Sequence, residues 1–145
     1  MALNIAWLPA TNEGAATDDP VFFLAGGPGQ SAVQVWPAID GAFREVRKSR
    51  HIVLVDQRGT GKSNPLACKD TEGRNAYSDP DDLSEAAAAA FARDCAASLK
   101  ADPRFYTTTD AVRDLDSVRK ALGAATLNLV GGSYGTRVAQ LYAMR

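Results

Sequence analysis

The chain has 145 residues, enough for one domain with one hydrophobic core, and its apolar content is that of a globular protein. A net charge of −1 gives no reason to expect a nucleic-acid or membrane partner. No apolar run approaches the roughly 20 residues that span a bilayer. Residues 2–8 lack the basic and long apolar segments of a signal peptide, so we expect none in this chain, and the localisation stays open.

The first part of the chain contains two predicted strands. Residues 3–8 alternate between apolar and polar side chains, which predicts an edge strand, and residues 9–19 are polar and predict a loop. The short apolar run at 21–24 ends in Gly-Gly-Pro-Gly. That pattern is typical of a buried parallel strand closed by turn residues.

Two helices are predicted on either side of a second buried strand at 52–55. The first begins at the N-cap Ser31 and runs to about residue 48, with Pro37 as the point where it can break. The second is capped by Asp79, with Pro80 at its first position. Its apolar stripe is expected to consist of Leu83, Ala87, Phe91, Cys95 and Leu99.

A third helix is predicted from a capping-box pattern formed by Thr107 and Asp110 and from a natural end at Gly123. Its solvated face is expected to be formed by Asp114, Asp116, Arg119 and Lys120. An apolar strand at 126–130 and a helix at 138–144 follow. This alternation of strands and helices predicts an α/β fold with a parallel sheet and helices on both faces.

The last strand and helix are joined by Gly131-Gly132-Ser133-Tyr134-Gly135, which fits the G-x-S-x-G pattern of a nucleophile elbow. In that motif a strained turn lifts the serine off the sheet, so that its hydroxyl can attack a carbonyl carbon. Small residues two before and two after the serine allow the helix to approach the strand. The alternative is an ordinary glycine- and serine-containing turn of an α/β protein.

A serine that transfers acyl groups also needs hydrogen-bond donors for the oxyanion. One donor is expected to be the backbone N–H of Tyr134, which follows Ser133. The other is expected from the loop after a neighbouring strand, and Gly-Gly-Pro-Gly at 26–29 occupies such a loop; the alternative is a simple Gly-Pro turn. This chemistry requires neither a metal nor a cofactor.

Residues 56–63 match the end of a P-loop, because they finish in Gly-Lys-Ser. However, Asp56 stands where the first glycine of a P-loop belongs, and Asn-Pro at 64–65 stands where a helix should point its N-terminus at a phosphate. We therefore expect no nucleotide site. Asp56 and Arg58 are interpreted as bracing the loops around the serine, and Lys62 as a surface charge.

The chain has two cysteines, Cys68 and Cys95, which allow one disulfide. Two buried free thiols are an equally good interpretation. The spacing fits neither a zinc knuckle nor a redox C-x-x-C motif, so neither a structural metal nor a redox centre is expected.

Five motifs follow one another along the chain: FLAGGPG at 23–29, DQRGTGKS at 56–63, YTTTD at 106–110, DLD at 114–116 and GGSYG at 131–135. Each is weak alone, but the ordered set resembles the prolyl iminopeptidase and tripeptidyl aminopeptidase group of α/β-hydrolases. The resemblance implies an α/β-hydrolase fold. It also implies the strand order 52–55, 21–24, 126–130, with flanking helices and an N-terminal edge strand.

The resemblance further implies a serine hydrolase that removes N-terminal residues from peptides or cleaves esters, with Ser133 as nucleophile and Gly27 and Tyr134 as oxyanion donors. The residues expected to support this site are Gly26, Pro28, Gly29, Asp56, Arg58, Gly131 and Gly135. Family members usually carry a histidine before Gly-Gly-Pro-Gly, where this chain has Ala25. Many relatives are exported, and the two cysteines would suit a disulfide there.

The resemblance covers nearly the whole chain but only about the first half of such a catalytic domain. Residues 1–145 are therefore interpreted as one partial domain that lacks the acid and histidine segments. In this fold those groups follow the serine, and no Asp, Glu or His follows Ser133. The one histidine, His51, opens the strand at 52–55, and the length of a strand, about 17–20 Å, separates it from the end of the sheet where Ser133 is expected.

Two functions follow from these expectations. The first is a serine hydrolase acting on small esters or peptide N-termini, weak or dependent on a partner. The alternative is a catalytically silent hydrolase fragment that acts as an assembly or binding module. Because strand 126–130 would be an exposed edge, we expect the chain to pair with its missing C-terminal half or with another copy, as a strand-paired or domain-swapped dimer.

Overall fold

The computed structural model of the protein describes residues 1–68 and 84–145, and the chain divides into two compact units, Met1–Pro65 with Tyr106–Arg145, and Leu66–Phe105. The strands are β1 (Ile5–Leu8), β2 (Thr17–Leu24), β3 (Arg50–Val55) and β4 (Asn128–Gly131). The α-helices are α1 (Ala32–Ile39), α2 (Glu85–Ser98), α3 (Thr108–Ala121) and α4 (Tyr134–Ala143). Short 3₁₀ turns lie at Glu13–Ala15, Asp40–Phe43, Val46–Lys48 and Pro103–Phe105. None of the helices described is both long and apolar enough to cross a membrane.

The four strands form one mixed sheet in the order β1-β3-β2-β4. β2 lies parallel to β3 and β4, with Val21 opposite Ile52 on one side and Asn128 on the other, and β1 runs antiparallel to β3 at one edge. The order of β3, β2 and β4 and the edge position of β1 agree with the prediction. Because β2, β3 and β4 are parallel, the loops that follow them all leave from the same end of the sheet.

Residues 21–24 of β2 and 52–55 of β3 are buried on both faces of the sheet, which explains why these segments are continuous apolar runs and not alternating ones. On one face, the packed core residues include Phe23, Trp36, Phe43, Ile52 and Leu54. On the other face, side chains of α3 and α4 cover the sheet, and this part of the core includes Phe22, Leu24, Val53, Val55, Leu115 and Val138. The sheet is therefore a rigid support for the loops at the carboxyl ends of its strands.

Two boundaries near the N-terminus differ from the prediction. β2 begins at Thr17, inside the segment predicted as a loop, because Thr17 pairs with Arg50 before the register of the two strands shifts. The helix predicted to run to about residue 48 ends at Ile39, and 3₁₀ turns replace its second half. Pro37 lies inside α1 without ending it. The helix stops just before Gly41, a residue type with low helix propensity.

The predicted ends of α3 are confirmed. The hydroxyl of Thr107 accepts a hydrogen bond from the N–H of Asp110 at 3.2 Å, and the carboxylate of Asp110 accepts one from the N–H of Thr107 at 3.4 Å. These two bonds form the expected capping box. Gly123 follows the C-cap of α3 with a φ of 70°, a conformation that glycine adopts without steric cost.

The smaller unit contains α2, which begins at Glu85. The predicted helix cap and the first residue of the apolar stripe lie outside the described residues; these are Asp79, Pro80 and Leu83. The remaining stripe residues whose side chains are described are half-buried, namely Phe91, Cys95 and Leu99. A disulfide joins Cys68 to Cys95, which is one of the two alternatives that the sequence left open.

Candidate active site

Ser133 lies in the turn between β4 and α4, where the sequence predicts a nucleophile elbow. Its backbone angles are φ 49° and ψ −119°, in a region that residues other than glycine rarely occupy. Its side chain is exposed and makes no capping hydrogen bond to α4, although serine at this position usually does. The hydroxyl is therefore presented to solvent and not used to stabilise the helix.

The two outer glycines of the motif allow α4 to start directly against the sheet. A Cβ on Gly135 would collide with the backbone carbonyl of Leu24, and a Cβ on Gly131 would collide with the backbone of Gly135. The N–H of Gly132 donates to the carbonyl of Leu24 at 3.0 Å, which joins the turn to the end of β2. The small residues that the motif requires are thus explained by backbone contacts.

The Gly-Gly-Pro-Gly loop lies beside the serine. A Cβ built on Gly26 would be 3.0 Å from the Cβ of Ser133 and 3.3 Å from the carbonyl oxygen of Gly132. Gly27 and Gly29 have φ values of 100° and 115°, which favour glycine at both positions. The two turns that were predicted to form one site are therefore neighbours, and a Cβ between them would be in unusually tight contact with Ser133 and Gly132.

Tyr134 is the first residue of α4, so its backbone N–H has no acceptor within the helix. Its phenol oxygen lies 2.7 Å from the hydroxyl of Thr108, the first residue of α3, and either oxygen can be the donor. This bond connects the starts of α3 and α4. No sequence motif indicates it, because the two residues are 26 positions apart.

Asp56 follows β3 and is almost fully buried, with 1% of its surface exposed. Its carboxylate accepts hydrogen bonds from the Ser31 hydroxyl at 2.6 Å and from the Asn4 amide at 2.8 Å. The N–H groups of Val33 and Lys62 donate to it at 3.2 Å each. Burial by itself raises the pKa of this carboxyl, but the four hydrogen bonds outweigh burial and hold the pKa below its ordinary value.

The loop that resembles a P-loop closes around this carboxylate. Gly61 has a φ of 51°, and a Cβ on it would collide with the carboxylate of Asp56. The hydroxyl of Ser63 donates to the backbone carbonyl of Asp56 at 2.7 Å, while the side chain of Lys62 points to no described partner and is exposed. Among the donors of this loop, the Lys62 N–H is directed at the internal carboxylate, and the Ser63 hydroxyl is bonded to a backbone carbonyl.

Arg58 connects the same loop to α3. Its guanidinium donates two hydrogen bonds of 2.7 Å to the carboxylate of Asp114, and both side chains are less than one-fifth exposed. These hydrogen bonds raise the pKa of Arg58. The prediction that Asp114 belongs to the solvated face of α3 is therefore wrong, because a partner 56 residues away in sequence covers it.

A protein-family model described as the alpha/beta hydrolase fold matches residues 19–145. The chain belongs to this family. It is 31% identical over 124 residues to the proline iminopeptidase of Neisseria gonorrhoeae, with 86% of this chain and 27% of that protein covered. It is 32% identical over 134 residues to the tripeptidyl aminopeptidase of Streptomyces lividans, with 84% of this chain and 25% of that protein covered.

A solved structure of a proline iminopeptidase-related protein from Thermus thermophilus has the same α/β-hydrolase fold. It superposes with a TM-score of 0.57 at 21% identity, over the whole of this chain and 41% of that one. The present chain spans about a quarter of the length of the two curated relatives. The catalytic roles of Ser133, Gly27 and Tyr134 in this α/β-hydrolase chain remain predictions.

His51 lies at the amino end of β3, as expected, and it contacts residues of the N-terminal segment. Its Nδ1 accepts a hydrogen bond from the N–H of Ala10 at 3.1 Å, and its ring packs on Trp7 with centroids 4.6 Å apart. Ser133 follows the carboxyl end of β4, at the opposite end of the hydrolase sheet. Within one copy of the chain, the length of the sheet therefore separates His51 from Ser133.

A cleft of about 490 Å³ lies against α3 and α4 and was not predicted from the sequence. The residues that line it are Val112, Arg113, Asp116, Ser117, Arg119, Lys120, Tyr142 and Arg145. None of these belongs to the predicted site. The carboxylate of Asp116 forms ion pairs with the ammonium group of Lys120 at 2.7 Å and with the guanidinium of Arg119 at 2.9 Å. Hydrogen bonds from these two groups lower the pKa of Asp116 to about 2. Among the described residues, no cluster of three or more His, Cys, Asp or Glu side chains could hold a metal ion.

Proposed function

We propose that this protein is a serine hydrolase that cleaves small esters or the N-terminal residues of peptides, with Ser133 as its nucleophile. The observation that carries the proposal is an exposed serine in a strained backbone conformation, placed against a glycine-rich loop. Strained residues of this kind persist only where the surrounding structure enforces them, and they cluster at functional sites. Membership of the α/β-hydrolase family supports hydrolysis in general.

The proposed reaction is acyl transfer through a covalent intermediate. The Oγ atom of Ser133 forms a bond to the acyl carbon, and the carbonyl oxygen becomes an oxyanion. The backbone N–H groups of Tyr134 and Gly27 would stabilise it, helped by the N-terminal end of the α4 dipole. The bond to the leaving group then breaks, the leaving group takes a proton, and water hydrolyses the acyl-serine.

The proton released by Ser133 determines the expected rate. His51 is the one histidine of the chain, and it lies at the other end of the sheet. The proton would therefore pass to water or to a buffer base. Oxyanion donors and substrate binding alone retain about 10³–10⁴-fold acceleration over water in a hydrolase without its triad. We therefore propose weak turnover of activated esters by this chain and much slower hydrolysis of peptides.

An alkyl fluorophosphonate probe, followed by mapping of the labelled peptide, tests the proposal. We expect labelling at Ser133 that is lost in Ser133→Ala. Ser117→Ala is a matched control, because Ser117 is an exposed serine within α3. Labelling that persists in Ser133→Ala, or no labelling of a protein shown to be folded, would overturn the assignment.

A second candidate function, assembly without catalysis, is favoured by the edge strand β4. Within the described sheet β4 pairs only with β2, and Val130 on it is 41% exposed. Exposed edges of this kind promote pairing with another chain. We propose that β4 pairs with a second copy in a strand-paired or domain-swapped dimer. Sedimentation velocity should show a dimer that Val130→Lys weakens, whereas a wild-type monomer at all concentrations would exclude it.

A further inference from the structure

The side chain of Gln30 lies beside Ser133, at the end of the Gly-Gly-Pro-Gly loop. Its Oε1 atom is 3.1 Å from the position that a Cβ would occupy on Gly26, and the Cβ of Ser133 is 3.0 Å from the same position. The backbone N–H of Gln30 donates to the carbonyl of Gly26 at 3.3 Å, which ties the residue to the loop. Its side chain is exposed and makes no hydrogen bond within the described part of the chain.

This position places a carboxamide next to the atoms that would react. Gln30 and Ser133 are both exposed, so a substrate that reaches Ser133 from solvent can also reach the Gln30 side chain. A glutamine side chain offers one acceptor oxygen and two donor hydrogens. If the acyl group of a substrate bound at Ser133 extends toward the Gly-Gly-Pro-Gly loop, the group attached to its acyl carbon comes close to this amide. In an aminoacyl substrate that group carries an amine, which donates hydrogen bonds and is positively charged when protonated.

We propose that the Oε1 atom of Gln30 accepts a hydrogen bond from the α-amino group of an aminoacyl substrate and so favours N-terminal residues over plain alkyl esters. The inference rests on the proposed function of Ser133, because it assumes that acyl groups bind there. Gln30 is in this sense a specificity residue of the same site.

Two covalent probes separate specificity from reactivity. An alkyl fluorophosphonate reports the reactivity of Ser133, and a diphenyl α-aminoalkylphosphonate adds the amino group that Gln30 is proposed to bind. Rate constants of labelling are measured for the wild-type chain, Gln30→Met, Gln30→Glu and Gln34→Met. Gln34 is the matched control, because it is an exposed glutamine on α1.

We expect Gln30→Met to lower the ratio of aminoalkyl to alkyl labelling about tenfold, the effect of one hydrogen bond to a charged group. Gln30→Glu should raise that ratio, because a carboxylate pairs with an ammonium group. An unchanged ratio in both Gln30 variants, or the same fall in Gln34→Met, would overturn the inference while Ser133-dependent alkyl labelling still supported the hydrolase. Absence of alkyl labelling would overturn the proposed function and the inference together.

Discussion

Replacing Ser133 by glycine or by alanine separates the strain of the turn from the chemistry of the hydroxyl. The backbone of Ser133 has φ 49° and ψ −119°. Glycine occupies positive φ readily because it lacks a Cβ. Alanine keeps the Cβ and therefore keeps the strain. Both variants lack the hydroxyl, so both should lose labelling by the alkyl fluorophosphonate probe.

The expected stabilities differ by an amount that follows from this geometry. A non-glycine residue in such a conformation costs about 1–3 kcal/mol. Replacing Ser133 by glycine removes this strain, but the greater freedom of glycine in the unfolded chain offsets about 0.5–1 kcal/mol of the gain in stability. We therefore expect Ser133→Gly to raise the free energy of unfolding by about 1 kcal/mol, which corresponds to about 3 °C in Tm for a chain of this size.

Ser133→Ala should leave stability within about 0.5 kcal/mol of the wild type. Loss of an N-cap serine usually costs about 1 kcal/mol, but the side chain of Ser133 makes no capping bond to α4. Urea denaturation of the three proteins measures the difference. If Ser133→Gly were no more stable than Ser133→Ala, the turn would not be strained. If Ser133→Ala lost about 1 kcal/mol, the hydroxyl would have a structural role.

Three further predictions concern Asp56, Gly135 and His51. Asp56→Asn should lower the free energy of unfolding at pH 7 by about 2 kcal/mol, because hydrogen bonds to a buried charge are lost. Because the pKa of Asp56 is lowered in the folded protein, its ionised carboxylate stabilises the fold fully above the unfolded-state pKa of about 3.9. This contribution is lost as the pH falls through the lower, folded-state pKa. The difference in unfolding free energy between the wild type and Asp56→Asn should therefore shrink in acid. Gly135→Ala should lower the free energy of unfolding by about 3 kcal/mol, because the added Cβ clashes with the backbone of Leu24. The control is Gly41→Ala, where a Cβ meets open space and stability should change by less than about 0.5 kcal/mol. Thermal unfolding measures both. His51→Gln should leave the rate of Ser133 labelling unchanged, and a large fall would contradict the structural role of His51.

The elements that carry local signals could be predicted from the sequence. The turn at Ser133 requires small residues at two fixed offsets, because helix and strand backbones touch there, and that requirement is visible in five consecutive residues. The capping box of Thr107 and Asp110 is equally local. The apolar parts of the two central strands, residues 21–24 and 52–55, could be recognised because burial on both faces leaves no polar position there.

The contacts that involve distant residues could not be predicted in the same way. Helical periodicity places Asp114 on the polar side of α3, and it contains no information about Arg58, which approaches from another loop. The early start of β2 at Thr17 depends on pairing with Arg50 and not on apolar character. The position of Gln30 beside Ser133 follows from the packing of two loops that are about a hundred residues apart, and a single polar residue in a loop gives no signal of it.

The interior carboxylate of Asp56 joins the loop that resembles a P-loop to the segment that follows the Gly-Gly-Pro-Gly loop. A P-loop directs several of its backbone N–H groups at a phosphate. Here one N–H of the corresponding loop, that of Lys62, is directed at the Asp56 carboxylate, together with the N–H of Val33 from α1. Ser31, which donates to the same carboxylate, is the N-cap of α1 and follows the Gly-Gly-Pro-Gly loop. The anion therefore fixes the far end of the loop that lies against Ser133. Through Ser31, Asp56 therefore connects the end of the Gly-Gly-Pro-Gly loop to the loop that follows β3.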